Sequence, residues 1–203
     1  MTDDNPVIFI IDDDPSMRAT LADVMRSVGL EVRTFTSAQE FLGGDVPDAP
    51  ACLVLDVRLP GQSGLDLHRT LRESGVGLPV VFISGHGDVQ MSVRAMKAGA
   101  VDFLAKPFRD QDLIDAVHEG LERDRARRGR AVKAAELRER YRSLTERERD
   151  IMALVVAGHP NKQIASQLSL AEVTVKAHRR QIMQKMKARS LPELVRIAGR
   201  LRA

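Results

Sequence analysis

The stretch Val7–Asp14 reads VIFIIDDD. An unbroken run of Val, Ile and Phe suits a strand buried on both faces, because helices cover both sides of a parallel sheet and the usual in–out alternation is lost. Ligands of such sheets bind at the carboxyl ends of the strands. Three carboxylates placed there repel one another and raise each other's pKa unless a metal ion, an Arg or a Lys neutralises them.

Outward from this run, residues 1–122 alternate apolar runs with helical patterns: VIFII then 15–28, EVRTF then 37–43, CLVLD then 64–74, PVVFIS then 88–98, and VDFLA then 110–122. Strands and helices in strict alternation predict a parallel sheet covered on both faces. Ser37 with Glu40 reads as a capping box, and Gly29 and Gly99 fall where helices stop. CLVLD also ends in a carboxylate, so Asp12, Asp13 and Asp56 should converge at one edge of the sheet. PVVFIS ends in Ser84, and the fifth strand is followed by Lys106 and Pro107. A few carboxylates suit Mg²⁺, which keeps several of its waters, and Lys106 adds a fixed positive charge. Cys52, the lone cysteine, reads as a small core residue and leaves no disulfide within the chain.

The overall charge of +3 hides a division: residues 1–124 carry −10 and residues 125–203 carry +13. The expected partners are therefore cationic for the first part and polyanionic, with nucleic acid foremost, for the second. The hydrophobic content of 43% over 203 residues supports real cores. No apolar stretch approaches the roughly 20 residues of a bilayer span, and MTDDNP lacks the features of a signal peptide, so a cytoplasmic protein without a membrane partner is expected. Residues 123–142 are basic, and polar nearly all round in their first half, which suits an exposed helix or a flexible linker better than a packed element. Helix formers without Pro predict largely one helix over 110–142, against which Gly120 and Gly129 each count about 1 kcal/mol relative to Ala. Beyond it, Thr145 with Glu148 caps a helix over 146–157, followed by helices over 161–168, 172–187 and 191–201.

IIDDD, LVLDVRLPG, FISGHGD and FLAKPF together resemble the receiver domain of two-component response regulators, over residues 6–122. The resemblance implies a flavodoxin-like α/β fold, a five-stranded parallel sheet of order 2-1-3-4-5. It implies that Asp56 accepts a phosphoryl group from a sensor histidine kinase, with Mg²⁺ (or Mn²⁺) held by Asp12 or Asp13, Asp56 and the backbone carbonyl of Arg58. Lys106 would pair with the phosphate, Ser84 would hydrogen-bond one of its oxygens, and Phe103 would turn inward as Ser84 moves. His86 is not read as the phosphorylated residue or as a metal ligand, and His68, His118 and His159 are expected on surfaces.

LTERERDIM, NKQIASQL and TVKAHRRQIMQKM resemble the helix-turn-helix domain shared by FixJ, NarL and LuxR regulators, over residues 144–201, and GHGD with MKAGAVDF points to the FixJ-type branch. On the helix over 172–187, Val175, His178, Ile182 and Met186 share a core face. Thr174, Lys176, Ala177, Arg179, Arg180 and Gln184 are left to face a major groove, and Asn161 and Lys162 to meet phosphates. Where the family usually caps this helix with Ser or Thr the chain has Ala171, at a cost of about 1 kcal/mol that Glu172 partly offsets through the helix dipole. The implied protein has a receiver (1–122), a basic helical linker (123–142) and an all-α DNA-binding domain (143–203). It is a transcriptional regulator that dimerises when phosphorylated, binds double-stranded promoter DNA and meets RNA polymerase. It is not an enzyme beyond Mg²⁺-dependent self-phosphorylation and dephosphorylation at Asp56. A phosphatase of the haloacid dehalogenase class would carry a second Asp two residues after its nucleophile, where this chain has Arg58. The helix pair ending in Thr174–Met186 argues against an RNA-binding antiterminator or a protein-only phosphorelay shuttle.

Overall fold

The computed structural model describes residues 5–45, 47–85 and 89–202, and of Arg202 the backbone alone. In it Val7–Ile11 forms β1, buried at every residue. It pairs in parallel with β2 (Glu31–Phe35) on one side and β3 (Ala51–Asp56) on the other. The sheet continues through β4 (Val80–Ser84) to β5 (Asp102–Ala105), in the order β2-β1-β3-β4-β5. The inner strands β1, β3 and β4 are buried throughout, whereas the edge strands β2 and β5 keep exposed positions. Apolar continuity in the sequence thus tracks position in the sheet.

Successive side chains of a strand point to opposite faces, so the sheet builds two cores. On one, Phe9, Leu53 and Phe82 meet α2 (Ala38–Leu42), α3 (Gly64–Glu73) and α4 (Val89–Lys97) through Phe41, Leu67 and Ala95. On the other, Ile10, Val54 and Ile83 meet α1 (Pro15–Ser27) and α5 (Asp110–Arg142) through Met25, Leu113 and Val117. Asp14 caps α1, accepting hydrogen bonds from the N–H groups of Ser16 and Met17, with Pro15 in the first turn. The capping box expected at α2 is only half present. Ser37 Oγ accepts from the Glu40 N–H, but Glu40 turns to Thr36, which offers it both an N–H and a hydroxyl at 2.7 Å.

The helix α5 runs unbroken from Asp110 to Arg142. Gly120 belongs to it for a reason of space: a Cβ there would lie 2.5 Å from Cys52 Sγ on β3. Cys52 is fully buried, and that burial pushes its thiol up to about 12, so it is inert core as expected. Within residues 123–142, Asp124 alone departs from the exposed helix read in the sequence. Asp124 is fully buried, accepts the Ala51 N–H at 3.1 Å, and pairs with Arg127 at 2.7 Å and Arg128 at 2.9 Å. Arg128 also reaches Asp48 and the Pro47 carbonyl. A carboxylate tolerates burial when it is paired and hydrogen-bonded in this way, and no apolar periodicity announces it.

The chain divides into two compact units, residues 1–128 and 129–203. In the second, Leu137 and Tyr141 of α5 join α6 (Glu146–Val156), α7 (Asn161–Leu168), α8 (Glu172–Lys185) and α9 (Leu191–Arg202) around Ile151, Ile164, Val175 and Ile182. Thr145 and Glu148 form the full capping box of α6. Glu148 is buried, which by itself raises a carboxyl pKa. Lys185 Nζ at 2.6 Å and the Thr145 N–H at 2.8 Å outweigh this and hold it below its ordinary value. Among the described residues no helix is long and apolar enough to cross a membrane.

Gly120→Ala is expected to destabilise the first unit by about 2 kcal/mol, the ordinary cost of overpacking, and Cys52→Ala should relieve part of that loss in the double mutant. Gly129, with nothing within 4 Å of its would-be Cβ, should behave oppositely, Gly129→Ala gaining about 1 kcal/mol of helix stability. Urea unfolding of the four proteins measures both effects.

Candidate functional site

Parallel pairing sets Ile11 beside Leu55 and Asp56 beside Ile83, so the residues at the ends of β1, β3 and β4 arrive at one edge. Asp12 is fully buried there, Asp56 is 7% exposed and Ser84 is buried, while Asp13 stands exposed. Lys106 follows β5, and its Nζ lies 2.8 Å from Asp12 Oδ2 and 2.7 Å from Asp56 Oδ2. The other oxygens are also held: Asp12 Oδ1 accepts the Asp14 N–H and Asp56 Oδ1 accepts the Arg58 N–H, each at 2.9 Å. Arg18 of α1 donates to the Asp12 backbone carbonyl at 2.6 Å.

Burial raises the Asp12 pKa, and the Asp56 carboxylate adds in the same sense. Lys106 and the Asp14 N–H lower it without prevailing. For Lys106, burial works against the charge, but hydrogen bonds to Asp12 and Asp56 prevail and its pKa rises, so it stays an ammonium. Asp12, Asp13 and Asp56 each bring a carboxylate oxygen within 4.8 Å of the others. Such a set of hard oxygen donors fits Mg²⁺ or Mn²⁺, and one lysine cannot balance three ionised acids. Gly64, the first residue of α3, closes the site from behind. A Cβ there would lie 2.3 Å from the Asp56 carbonyl oxygen, and its N–H donates to the Val57 carbonyl.

Phe103 is half-buried against the first core, opposite Phe82 in the β4–β5 pairing. His118 is exposed, and His159 is half-buried beside Gln163. His68 is not on the surface as expected. It is 4% exposed and packs edge-on against Phe82, because its place on α3 falls on the buried stripe with Leu67 and Leu71. His86 lies outside the described residues. The sequence reading missed Asp14 as a cap, although Asp before Pro is a recognisable helix start, and missed Arg18, which carried no such signal.

On α8, Lys176, Ala177, Arg180 and Gln184 are exposed and Thr174 and Arg179 half-buried, with Val175 and Ile182 in the core. Arg179 Nη1 donates to Asn161 Oδ1 at 2.7 Å, joining two residues expected to face nucleic acid separately, and Lys162 is exposed. His178, expected on the core face, is half-buried with its Nδ1 buried and unpartnered among the described residues. Neither Ala171 nor Pro160 gives its helix a side-chain cap. Val173, 73% exposed in the first turn of α8, went unnoticed in the sequence.

Residues 8–118 match the family described as response regulator receiver domain, and residues 142–198 the bacterial regulatory proteins of the luxR family. The chain belongs to the two-component response regulators. Its receiver precedes a LuxR-type DNA-binding domain, and its relatives are transcriptional regulators. Nodulation protein W of Bradyrhizobium diazoefficiens is 52% identical over 96% of this chain and 86% of its own. The transcriptional regulatory protein FixJ of Azorhizobium caulinodans is 46% identical over 94% and 90%. Among solved structures, the response regulator StyR is 47% identical with a TM-score of 0.85, covering 96% of this chain and 98% of its own.

Because the Asp12 pKa is raised on folding, the folded regulator holds that proton more tightly than the unfolded chain. The resulting stability is present at low pH and lost as pH rises through the raised pKa. Without divalent cations, Asp12→Asn should therefore stabilise the receiver near neutral pH by about 1–2 kcal/mol and flatten this fall. Added Mg²⁺ should stabilise the native protein and not the mutant. Urea unfolding with chelator or with Mg²⁺, across pH, checks the prediction.

Proposed function

We propose that this response regulator is switched by phosphorylation of Asp56 by a sensor histidine kinase, and that the phosphorylated protein dimerises and binds promoter DNA. The observation that carries the reading is the Lys106 ammonium set between Asp12 and Asp56 at the sheet edge. An Asp56 carboxylate oxygen would bond to phosphorus while the P–N bond to the kinase imidazole breaks, the electron pair staying on nitrogen. Mg²⁺, held by Asp12, Asp13, Asp56 and the Arg58 carbonyl, would supply further neutralisation of the phosphoryl oxygens. Lys106 would follow the charge from the Asp56 oxygen to a phosphoryl oxygen, and Ser84 at the end of β4 would hydrogen-bond another, with Phe103 on the neighbouring strand responding to that movement. The same site would support self-phosphorylation from small phosphodonors and slow dephosphorylation, and no other catalysis.

In the second unit the exposed side chains of α8 would enter the major groove, Lys176 and Arg180 reaching base edges, with Thr174, Ala177 and Gln184 beside them. Arg179, bonded to Asn161, would face the groove with them, and Asn161 and Lys162 at the start of α7 would meet the phosphate backbone. The division into receiver (1–122), basic linker (123–142) and DNA-binding domain (143–203), the cytoplasmic setting and a contact with RNA polymerase complete the reading.

Replacing Asp56 with Asn should abolish Mg²⁺-dependent labelling by a small phosphodonor, and undiminished labelling of the mutant would place the acceptor elsewhere. DNA affinity should fall with salt at a logarithmic slope of about 0.9 per phosphate neutralised. Arg180→Ala should lose discrimination between sites, by about 1–3 kcal/mol at the base it reads, whereas Lys162→Ala should weaken all sequences alike; shift assays across a salt series measure both.

A further inference from the structure

Neither phosphorylation nor DNA binding accounts for the groove between α3 and α4, which has a volume of about 640 Å³. Arg69 and Arg72 of α3 and Arg94 of α4 line it, with Leu65 and Ala98 as apolar wall. The cations are not equally free. Arg69 is paired with Asp66 at 2.6 Å and Arg72 Nη1 is bonded to the Ala98 carbonyl. Arg94 is exposed and has no ion pair among the described residues, and Glu73 is the remaining acid of the lining. His68 also lines the groove while being 4% exposed. Its ring sits edge-on to Phe82 with centroids 5.5 Å apart. Because it lines the groove, the imidazole can offer a ring N–H to a ligand held there.

We propose that this groove is a binding site for a small organic anion, a carboxylate or a phosphate monoester, gripped by Arg94 and the free side of Arg72 with the His68 imidazole donating a hydrogen bond from beneath. Guanidinium forks match the oxygens of both anions. The volume is in the range of small-molecule sites, roughly 300–1,000 Å³. Burial, and after it the charge of Arg72, lowers the His68 pKa, which keeps the ring neutral with a single N–H to give. The walls come from two different helices, so the ligand would bridge α3 to α4.

The test uses the full chain, free of divalent cations, with the imidazole resonances of His68 followed by NMR during titration with inorganic phosphate and, separately, with malonate. A saturable shift of His68 is expected. A response to phosphate alone marks a phosphate-ester site, to malonate alone a carboxylate site, and to both a site for either anion. Arg94→Gln, a change at an exposed position that leaves the fold intact, should weaken binding about tenfold. Arg180→Gln in the DNA-binding unit should not weaken it, and Asp56→Asn should leave the shift in place, which separates this site from the phosphoacceptor. Absence of a saturable His68 shift with both probes, an unchanged affinity in Arg94→Gln, or loss of the response in Asp56→Asn would overturn the proposal.

Discussion

A parallel sheet delivers the carboxyl ends of all its strands to one edge, and in this receiver that edge gathers more negative charge than the protein can leave alone. Lys106 is the internal answer. Its ammonium joins the end of β1 to the end of β3 from the end of β5, across 94 residues to Asp12 and 50 to Asp56. The arrangement of the sheet and the electrostatics of the site are therefore one interaction seen twice. Burial first, and the Asp56 carboxylate after it, raise the Asp12 pKa against Lys106, and three carboxylates gathered within 4.8 Å around one ammonium favour a metal ion or a phosphoryl group with its accompanying cation.

The backbone around the edge is fitted to the same purpose. Glycine at position 64 admits the first turn of α3 against the Asp56 carbonyl, and glycine at 120 lets α5 lie down on Cys52. In the sequence alone, Gly64 carries no signal of this and Gly120 counts against a helix. Periodicity measures helix propensity and says nothing about what a helix must approach. The strands, their parallel order and the convergence of Asp12, Asp56, Ser84 and Lys106 were legible because strand ends follow from topology. His68 and Asp124 were not, because a single polar residue on a helix looks the same whether its neighbours in space are water or a strand. Their burial depends on Phe82 in one case and on Ala51, Arg127 and Arg128 in the other.

The second unit divides its positive charge in a way that counting residues conceals. Lys185 bonds buried Glu148, fixing α8 against α6, and one guanidinium nitrogen of Arg179 bonds Asn161, fixing it against α7. Lys176 keeps only a loose contact with Glu172 at 3.5 Å, and Arg180 is exposed. Of the basic side chains of α8, then, some set the pose of the helix and others remain to be used on a partner. The two roles separate by burial, and the partly buried members govern where the exposed ones point.

The bond from the Ala51 N–H to Asp124 gives the first residue of β3 a hydrogen-bond partner on a helix. The exchange of that amide with solvent deuterium is therefore gated by whether α5 is seated, while the amides further along β3 report the sheet itself. Lifting of this part of α5 away from the sheet, with the sheet intact, would register at Ala51 as lost protection before it registered anywhere else in the strand.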